Sequence, residues 1–317
     1  MSGRDVRRLA ARATNMTHEA KRDIVARLAA GVDAVGGTDI YITKEPFQIS
    51  TGALEQMQLN ANVHVIEHRL DNSPADTQRS MAALCAAGCE TIVSLGGDGT
   101  NRAIVRSNPD IDLIPLSTGT NNVFPVLAEP TVAGMVAGMN ARGLLSEPNL
   151  KRRVKVLHVY KDGQEVDVGL IDAVLLKDDH VGNLLPFDAE RIVKLILTRA
   201  EPNAIGMSPI GGFLRPVFCE DDCGLEVTTG SEAPTIRAPL SPGFFKEVSV
   251  ASLREVSLGE TCSLKGPGVV ALDGDRDIAL QPDERAEVKI LRDGPNVIDV
   301  EAAMRWAVGQ GIMAPSH

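Results

Sequence analysis

Aromatic side chains are scarce: Phe, Trp and Tyr make up 3% of the 317 residues. Proteins that read single-stranded nucleic acid stack bases on several such rings, so this composition argues against that partner. Positive charge is also short. Lysine and arginine number 32 against 42 aspartates and glutamates, a formal charge of -10. A surface tuned to phosphate backbones or anionic lipid carries the opposite balance, so we expect no nucleic-acid partner. No apolar run approaches the ~20 residues that span a bilayer, which excludes integral membrane contact through helices. The basic stretch Met1 to Arg12 lacks the apolar centre of a secretory signal. Cysteines number 5, and an odd count fits a reducing, cytoplasmic setting. Cys85 and Cys89 stand one helical turn apart and read as small core residues. Cys219 and Cys223 have no second ligand pair at zinc spacing. There is no internal repeat and no low-complexity tract.

What remains is a globular chain, 44% hydrophobic and 23% charged, long enough for two domains. Its first half alternates short strands with helices. Helical spacing covers 4–13 and 18–30, with Thr17 placed to cap the second of these. Strands are expected at 39–43 and 63–68, helices at 51–59 and 75–87, with His64 and His68 solvated or capping. Such alternation implies a parallel sheet with crossover helices, whose ligands sit at the carboxyl ends of the strands. A helix over 132–139 follows, with Gly134 and Gly138 allowing close packing. Near 143–149 the composition shifts, and from Lys151 onward the period becomes two. Strands are expected at 154–159, 165–170 and 171–176, an amphipathic helix over 188–199, and short strands from 225 to 298 forming a sandwich or folded sheet. A closing helix over 300–309 packs back on the first domain. We therefore expect an α/β domain at 1–148, joined by 299–317, and a β-rich domain at 149–298.

The chemistry concentrates in Thr91-Ile-Val-Ser-Leu-Gly-Gly-Asp-Gly-Thr100. A short apolar strand ends at Gly96-Gly97, and a helix can start after Gly99. Strand, glycine turn and helix N-terminus together make an anion site, since free N–H groups and the helix dipole favour phosphate. Asp98 inside that turn would repel phosphate unless it binds a metal, orients a donor or takes a proton from a hydroxyl. The bland reading is a tight turn with a capping aspartate. A second strand, 111–116, ends in Ser117-Thr-Gly-Thr-Asn-Asn122, built the same way. If the two strands are neighbours, both polar turns face one crevice. Leu272-Asp-Gly-Asp275 carries two acids about a glycine. It suits metal coordination or proton abstraction, and reads blandly as a hairpin turn.

Gly96-Gly97-Asp98-Gly99-Thr100 resembles the signature of the NAD kinase and diacylglycerol kinase superfamily. With Ile114 to Pro125 and Leu272-Asp273-Gly274-Asp275, the wording is most similar to the acetoin-catabolism protein X branch of the ATP-NAD kinase-like group. The resemblance implies a Rossmann-like nucleotide-binding domain and a β-rich acceptor domain. It implies Mg²⁺-assisted transfer of the ATP γ-phosphoryl group to a hydroxyl, with the 2′-hydroxyl of NAD as acceptor, giving NADP. Asp98 and Asp273 are then the catalytic acids, and Asp98 and Asp275 the metal ligands. Gly96, Gly97, Gly99, Thr100, Asn101, Thr118, Gly119, Thr120, Asn121, Asn122 and Asp172 hold nucleotide. Gly206 to Gly212 resembles a loop that NAD kinases place near the dinucleotide. Three departures stand against this. Ile171 replaces an Asn of the NAD kinases, and Asn122-Val123 lacks the acid of the lipid kinases. The superfamily's opening strand and Asn-Pro turn also have no counterpart before Arg4, which implies one strand fewer in the sheet. The alternatives are a lipid or other small-alcohol kinase, and a nucleotide-binding regulatory protein without turnover. Self-association into a homo-oligomer stays open.

Overall fold

The structure is a computed structural model that describes residues 16–107, 110–118, 122–183 and 188–313. The helix expected over 4–13 and the site residues Gly119, Thr120 and Asn121 lie outside the described residues.

Thr17 caps the first helix, α1 (His18–Ala34), its hydroxyl accepting from the Ala20 N–H at 3.1 Å. Ile24, Val25 and Leu28 form the buried face of α1, as their spacing requires. The chain then runs β1 (Asp39–Thr43), α2 (Ile49–Leu54), β2 (Asn62–Ile66), α3 (Pro74–Ala86), β3 (Thr91–Gly96), α4 (Asp98–Ser107), β4 (Asp112–Ser117) and α5 (Pro130–Ala141). Strand β1 pairs with β2, and β3 with β4, all parallel. After β5 (Lys151–Arg153) the chain leaves this layer and comes back only at β17 (Asn296–Ile298) and α7 (Val300–Gly309). Strand β17 inserts between β4 and β5, so one sheet reads β3-β4-β17-β5 and the β1-β2 pair stands apart from it. Asp299 caps α7 through the Ala302 N–H at 2.9 Å. Val300, Ala303 and Ala307 of α7 complete the core formed by Leu28, Ile114 and Val136. The closing helix thus returns to the first layer, as expected.

The strands between are β6 (Val156–Lys161), β7 (Gln164–Gly169), β8 (Asp172–Leu176), β9 (Ile192–Leu197), β10 (Cys223–Thr229), β11 (Thr235–Ser241), β12 (Phe244–Ser257), β13 (Thr261–Lys265), β14 (Gly268–Leu272), β15 (Asp275–Leu280) and β16 (Arg285–Leu291). One short helix, α6 (Ser208–Gly212), interrupts them. They form two antiparallel sheets, β11-β12-β10-β9-β8-β14-β15 and β13-β16-β6-β7. Leu157, Val159, Leu175, Val270, Val288 and Ile290 fill the space between these sheets. Alternate residues of each strand face inward, which is what the period of two demanded.

The helix expected over 188–199 is a correction. Asp188 caps a single tight turn, Ala189–Arg191, and Ile192–Leu197 is strand β9, hydrogen-bonded to β8 on one side and β10 on the other. A short apolar run buried on both faces fits helix and strand patterns equally, and the sheet's open position decided it. Strand β12 is the other surprise. At 14 residues it is far longer than the short strands expected there, because its two halves pair with different neighbours, β11 and β10.

Helices α1 and α5 touch backbone to backbone. A Cβ on Gly31 would lie 2.1 Å from the Thr131 carbonyl oxygen, and one on Gly134 would lie 2.1 Å from that of Leu28. Gly134→Ala is therefore expected to destabilise the chain by about 3 kcal/mol, since backbone cannot yield as a side chain can. The urea midpoint reads this out, with unchanged slope; an unchanged midpoint would mean that the helices part freely.

Candidate functional site

Strands β3 and β4 are neighbours in register, Gly96 opposite Ser117, so both glycine-rich turns leave the sheet at the same end. Gly96 has no room for a side chain: a Cβ there would sit 2.6 Å from the Thr100 Cβ. On Gly97 it would meet Asn122 Oδ1 at 2.5 Å, so the Asn122 side chain lies directly over the first turn. Asn122 is held in place by its own amide, which donates to Ser117 Oγ at 3.1 Å.

Asp98 opens α4 and fastens the two turns together. Its carboxylate accepts the N–H of Phe124 at 2.9 Å and that of Val123 at 3.1 Å. Burial pushes its pKa up to about 7, helped by the Asp273 carboxylate nearby; the two N–H donors and the Arg199 guanidinium pull the other way. Arg199 lies over the Phe124 ring, 5.3 Å from its centre. A carboxyl group poised near neutrality beside a phosphate-type turn can hold or release a proton under working conditions.

Asp273 and Gly274 form the turn between β14 and β15, both with positive φ (49° and 93°), which is the hairpin geometry of an Asp-Gly pair. The buried Asp273 carboxylate turns back to accept N–H groups from Leu170 (2.8 Å), Ile171 (2.7 Å) and Asp172 (3.2 Å). Burial raises its pKa, opposed by Arg102 and these three donors. Its geometry is that of a clamp between the β7–β8 connection and the acidic turn. Asp172 is buried at the same junction. Asp275 instead meets the crevice: its Oδ2 is 3.3 Å from where a Cβ on Gly99 would stand.

Arg102, on α4, carries the first domain to this turn. It donates to the Leu272 carbonyl oxygen at 2.6 Å and to Asp277 at 2.8 Å, with Asp275 at 3.9 Å. Asn101 points inward: it accepts from Ser94 Oγ at 2.6 Å and donates to the Gly97 carbonyl at 2.9 Å, so its amide ties helix to strand. Thr118 is buried, and its hydroxyl has no partner among the described residues. Gly99, Thr100 and Asp275 line a crevice of about 840 Å³ together with Lys44, Phe47 and His68. Among the described residues no three His, Cys, Asp or Glu side chains gather as a metal cage. Sequence reasoning missed Arg102, Arg199 and Asp277. Arg102 falls one helical turn beyond Asp98 and was findable on that ground; the other two carry no local signal.

Two outcomes follow from these acids. Asp273→Ala orphans three buried N–H groups and is expected to cost about 3–5 kcal/mol in chemical denaturation, with Asp273→Asn costing less. Asp98 titrates near 7 in the folded chain against 3.8 ordinarily, so between those values the folded state keeps a proton that the unfolded state has lost. Stability should therefore fall as pH rises through that window, by on the order of a few kcal/mol, Asp273 adding the same sign. Urea midpoints at low and high pH test this, and Asp98→Asn should flatten the slope.

Comparison with known proteins bears on the fold and the family. Residues 7–143 match the family described as ATP-NAD kinase N-terminal domain, and residues 155–293 match the acetoin catabolism protein X C-terminal domain. Acetoin catabolism protein X of Cupriavidus necator is 30% identical over 322 residues, covering 97% of this chain and 90% of that protein. Among solved structures, yeast NADH kinase complexed with NADH is 11% identical with a TM-score of 0.56, over 94% of this chain and 85% of that one. An NAD kinase from Archaeoglobus fulgidus in complex with ATP is 14% identical with a TM-score of 0.48, over 88% of this chain and 100% of that one. The fold is thus NAD kinase-like, and the chain belongs to the acetoin catabolism protein X family.

Proposed function

We propose that this protein is a phosphotransferase that moves the γ-phosphoryl group of ATP to a hydroxyl, with the 2′-hydroxyl of NAD as the acceptor. The observation that carries the reading is Asp98: a carboxyl group titrating near 7, anchored where two glycine turns meet at the carboxyl ends of neighbouring parallel strands. The fold shared with yeast NADH kinase supports a nucleotide substrate. The name of the Cupriavidus relative supports a role alongside acetoin breakdown.

In this reading the N–H groups at Gly97, Gly99 and Thr100 and the start of α4 hold phosphate oxygens. Asp98 receives the acceptor's proton, its basicity raised by burial rather than by a neighbouring histidine. The residues fit Mg²⁺ in one way. Asp275 faces the crevice beside Gly99, and one or two carboxylates plus substrate phosphates are the usual protein share of a magnesium site. Asp275, with Asp98, would hold that ion, which supplies charge neutralisation on the phosphoryl group. Asp273 positions the turn that presents Asp275, and Arg102 locks that turn to α4. The lipid-kinase alternative calls for an apolar acceptor groove. Lys44, His68, Asp76 and Asp275 line the crevice at Gly99 beside Phe47, Leu70, Met81 and Ile104, so its charged groups suit a nucleotide while its apolar wall also admits the lipid-kinase reading.

Labelled ATP with Mg²⁺ and a panel of NAD, NADH, diacylglycerol and a blank tests the assignment. NAD-dependent label transfer is expected, rising with pH through about 7 as Asp98 loses its proton. Asp98→Asn should lower it at least about a hundredfold, the scale of a positioned base. Its melting temperature should hold or rise above neutral pH. Equal loss of activity and stability would reduce Asp98 to a cap, and binding without transfer would favour the regulatory alternative.

A further inference from the structure

Strand β9 ends at Leu197, and the three residues after it are fixed by backbone contacts. Thr198 Oγ1 donates to the Leu170 carbonyl oxygen at 2.5 Å, and the Arg199 carbonyl oxygen accepts from Ser208 Oγ at 3.0 Å. Ala200 exchanges both backbone hydrogen bonds with Val217, at 2.8 and 3.0 Å. The Arg199 side chain therefore leaves a rigid mount. It reaches over the ring of Phe124, whose own N–H donates to Asp98. Only 13% of that side chain is exposed.

Other buried cations of this region are spent on the protein itself. Arg102 donates to the Leu272 carbonyl and Asp277, and Arg276 to Asp179 and the Asn183 carbonyl. Lys155 donates to the carbonyl oxygens of Phe218 and Cys223. Arg199 differs. Among the described residues its guanidinium makes no hydrogen bond, and the carboxylate within ion-pair reach, Glu201, stands at 3.9 Å. A guanidinium offers five N–H donors in a planar fork, and removing water from them without replacement is costly. The Phe124 ring recovers only part of that cost. Charge gives a second reason to look here. The carboxylate of Asp273 already opposes that of Asp98, so an anionic substrate is repelled unless a cation faces it. Arg199 does not line the crevice at Gly99, and it comes to Asp98 from the β domain by way of Phe124.

We propose that Arg199 grips a phosphate of the acceptor, the molecule whose hydroxyl meets Asp98, so that the acceptors of this protein are phosphorylated alcohols. The inference rests on the phosphotransferase reading and narrows it. Diacylglycerol offers Arg199 no anion; a dinucleotide offers two phosphates. The planar fork meets two phosphate oxygens at once, which a lysine cannot do. Glu201 is a loose counter-ion: it balances the guanidinium until the phosphate arrives and has no hydrogen bond to Arg199 to give up.

The test is calorimetry on the full chain with the donor site filled by β,γ-methylene ATP, titrating pyrophosphate, NAD and adenosine. The unaltered chain should bind pyrophosphate and NAD. Arg199→Met should weaken both by about ten- to a hundredfold, the scale of hydrogen bonds to a charged group, and leave adenosine and the ATP analogue unchanged. Arg199→Lys should recover part of the loss. Glu201→Gln keeps the guanidinium and removes its competitor, so it should tighten pyrophosphate by about two- to fivefold; it decides the matter if the Arg199→Met chain does not fold. Pyrophosphate held through Arg199 with no binding of NAD would keep the phosphate site and overturn NAD as the acceptor. Pyrophosphate bound equally well by Arg199→Met, or not at all by the unaltered chain, overturns the proposal whatever NAD does. So does weakened binding of the ATP analogue alone, which would place Arg199 at the donor. A lowered melting temperature of Arg199→Met with ligand binding intact overturns it too, because the partner of Arg199 would then be the chain itself.

Discussion

The site depends on a carboxylate held by backbone. Asp98 accepts the N–H groups of Val123 and Phe124, which ties the turn after β3 to the segment after β4. Without that tie the two glycine turns would be separate loops at the end of a sheet. With it, Asn122 settles over Gly97, and only a glycine there allows it. The same burial that makes the tie strong also raises the cost of charge on Asp98, and so places its titration near neutrality. Structure and reactivity have one physical source here.

Asp273 repeats the device in the β domain with a different result. Three N–H groups from 170–172 converge on its carboxylate, so it serves as an anchor, and the neighbouring acid of the turn, Asp275, faces the crevice. Arg102 then spans the two halves, reaching from α4 to the Leu272 carbonyl and Asp277. Its buried guanidinium sits among several carboxylates, an arrangement that resists separation of the halves because parting them would strand unpaired charge. The crevice is consequently set by a few polar contacts laid across large apolar cores.

The first layer is built with an opposite economy. Gly31 and Gly134 bring α1 and α5 into backbone contact, and α7 returns to close the core beneath them. On the other side of the layer, among the described residues, β1 and β3 are not paired with one another.

Local order was legible in the sequence wherever a residue's role is decided within one turn of chain. Thr17 as a cap, the strand over 39–43, the helix over 300–309 and the Asp-Gly hairpin all depend on neighbours a few positions away. The glycine turns were readable for the same reason: glycine, acid and strand lie side by side. Direction was not readable where a run is apolar on every face. Residues 192–197 became a strand because β8 and β10 left a place between them. Nor could spacing show that Asn101 turns inward, that Asp273 is an anchor while Asp275 meets the crevice, or that Arg199 comes close enough to lower the pKa of Asp98. The sequence by itself determined which residues could do acid, phosphate and turn chemistry. The tertiary structure alone decided which of them have their lone pairs and charges consumed by buried backbone, because that depends on segments a hundred or more residues apart meeting in space.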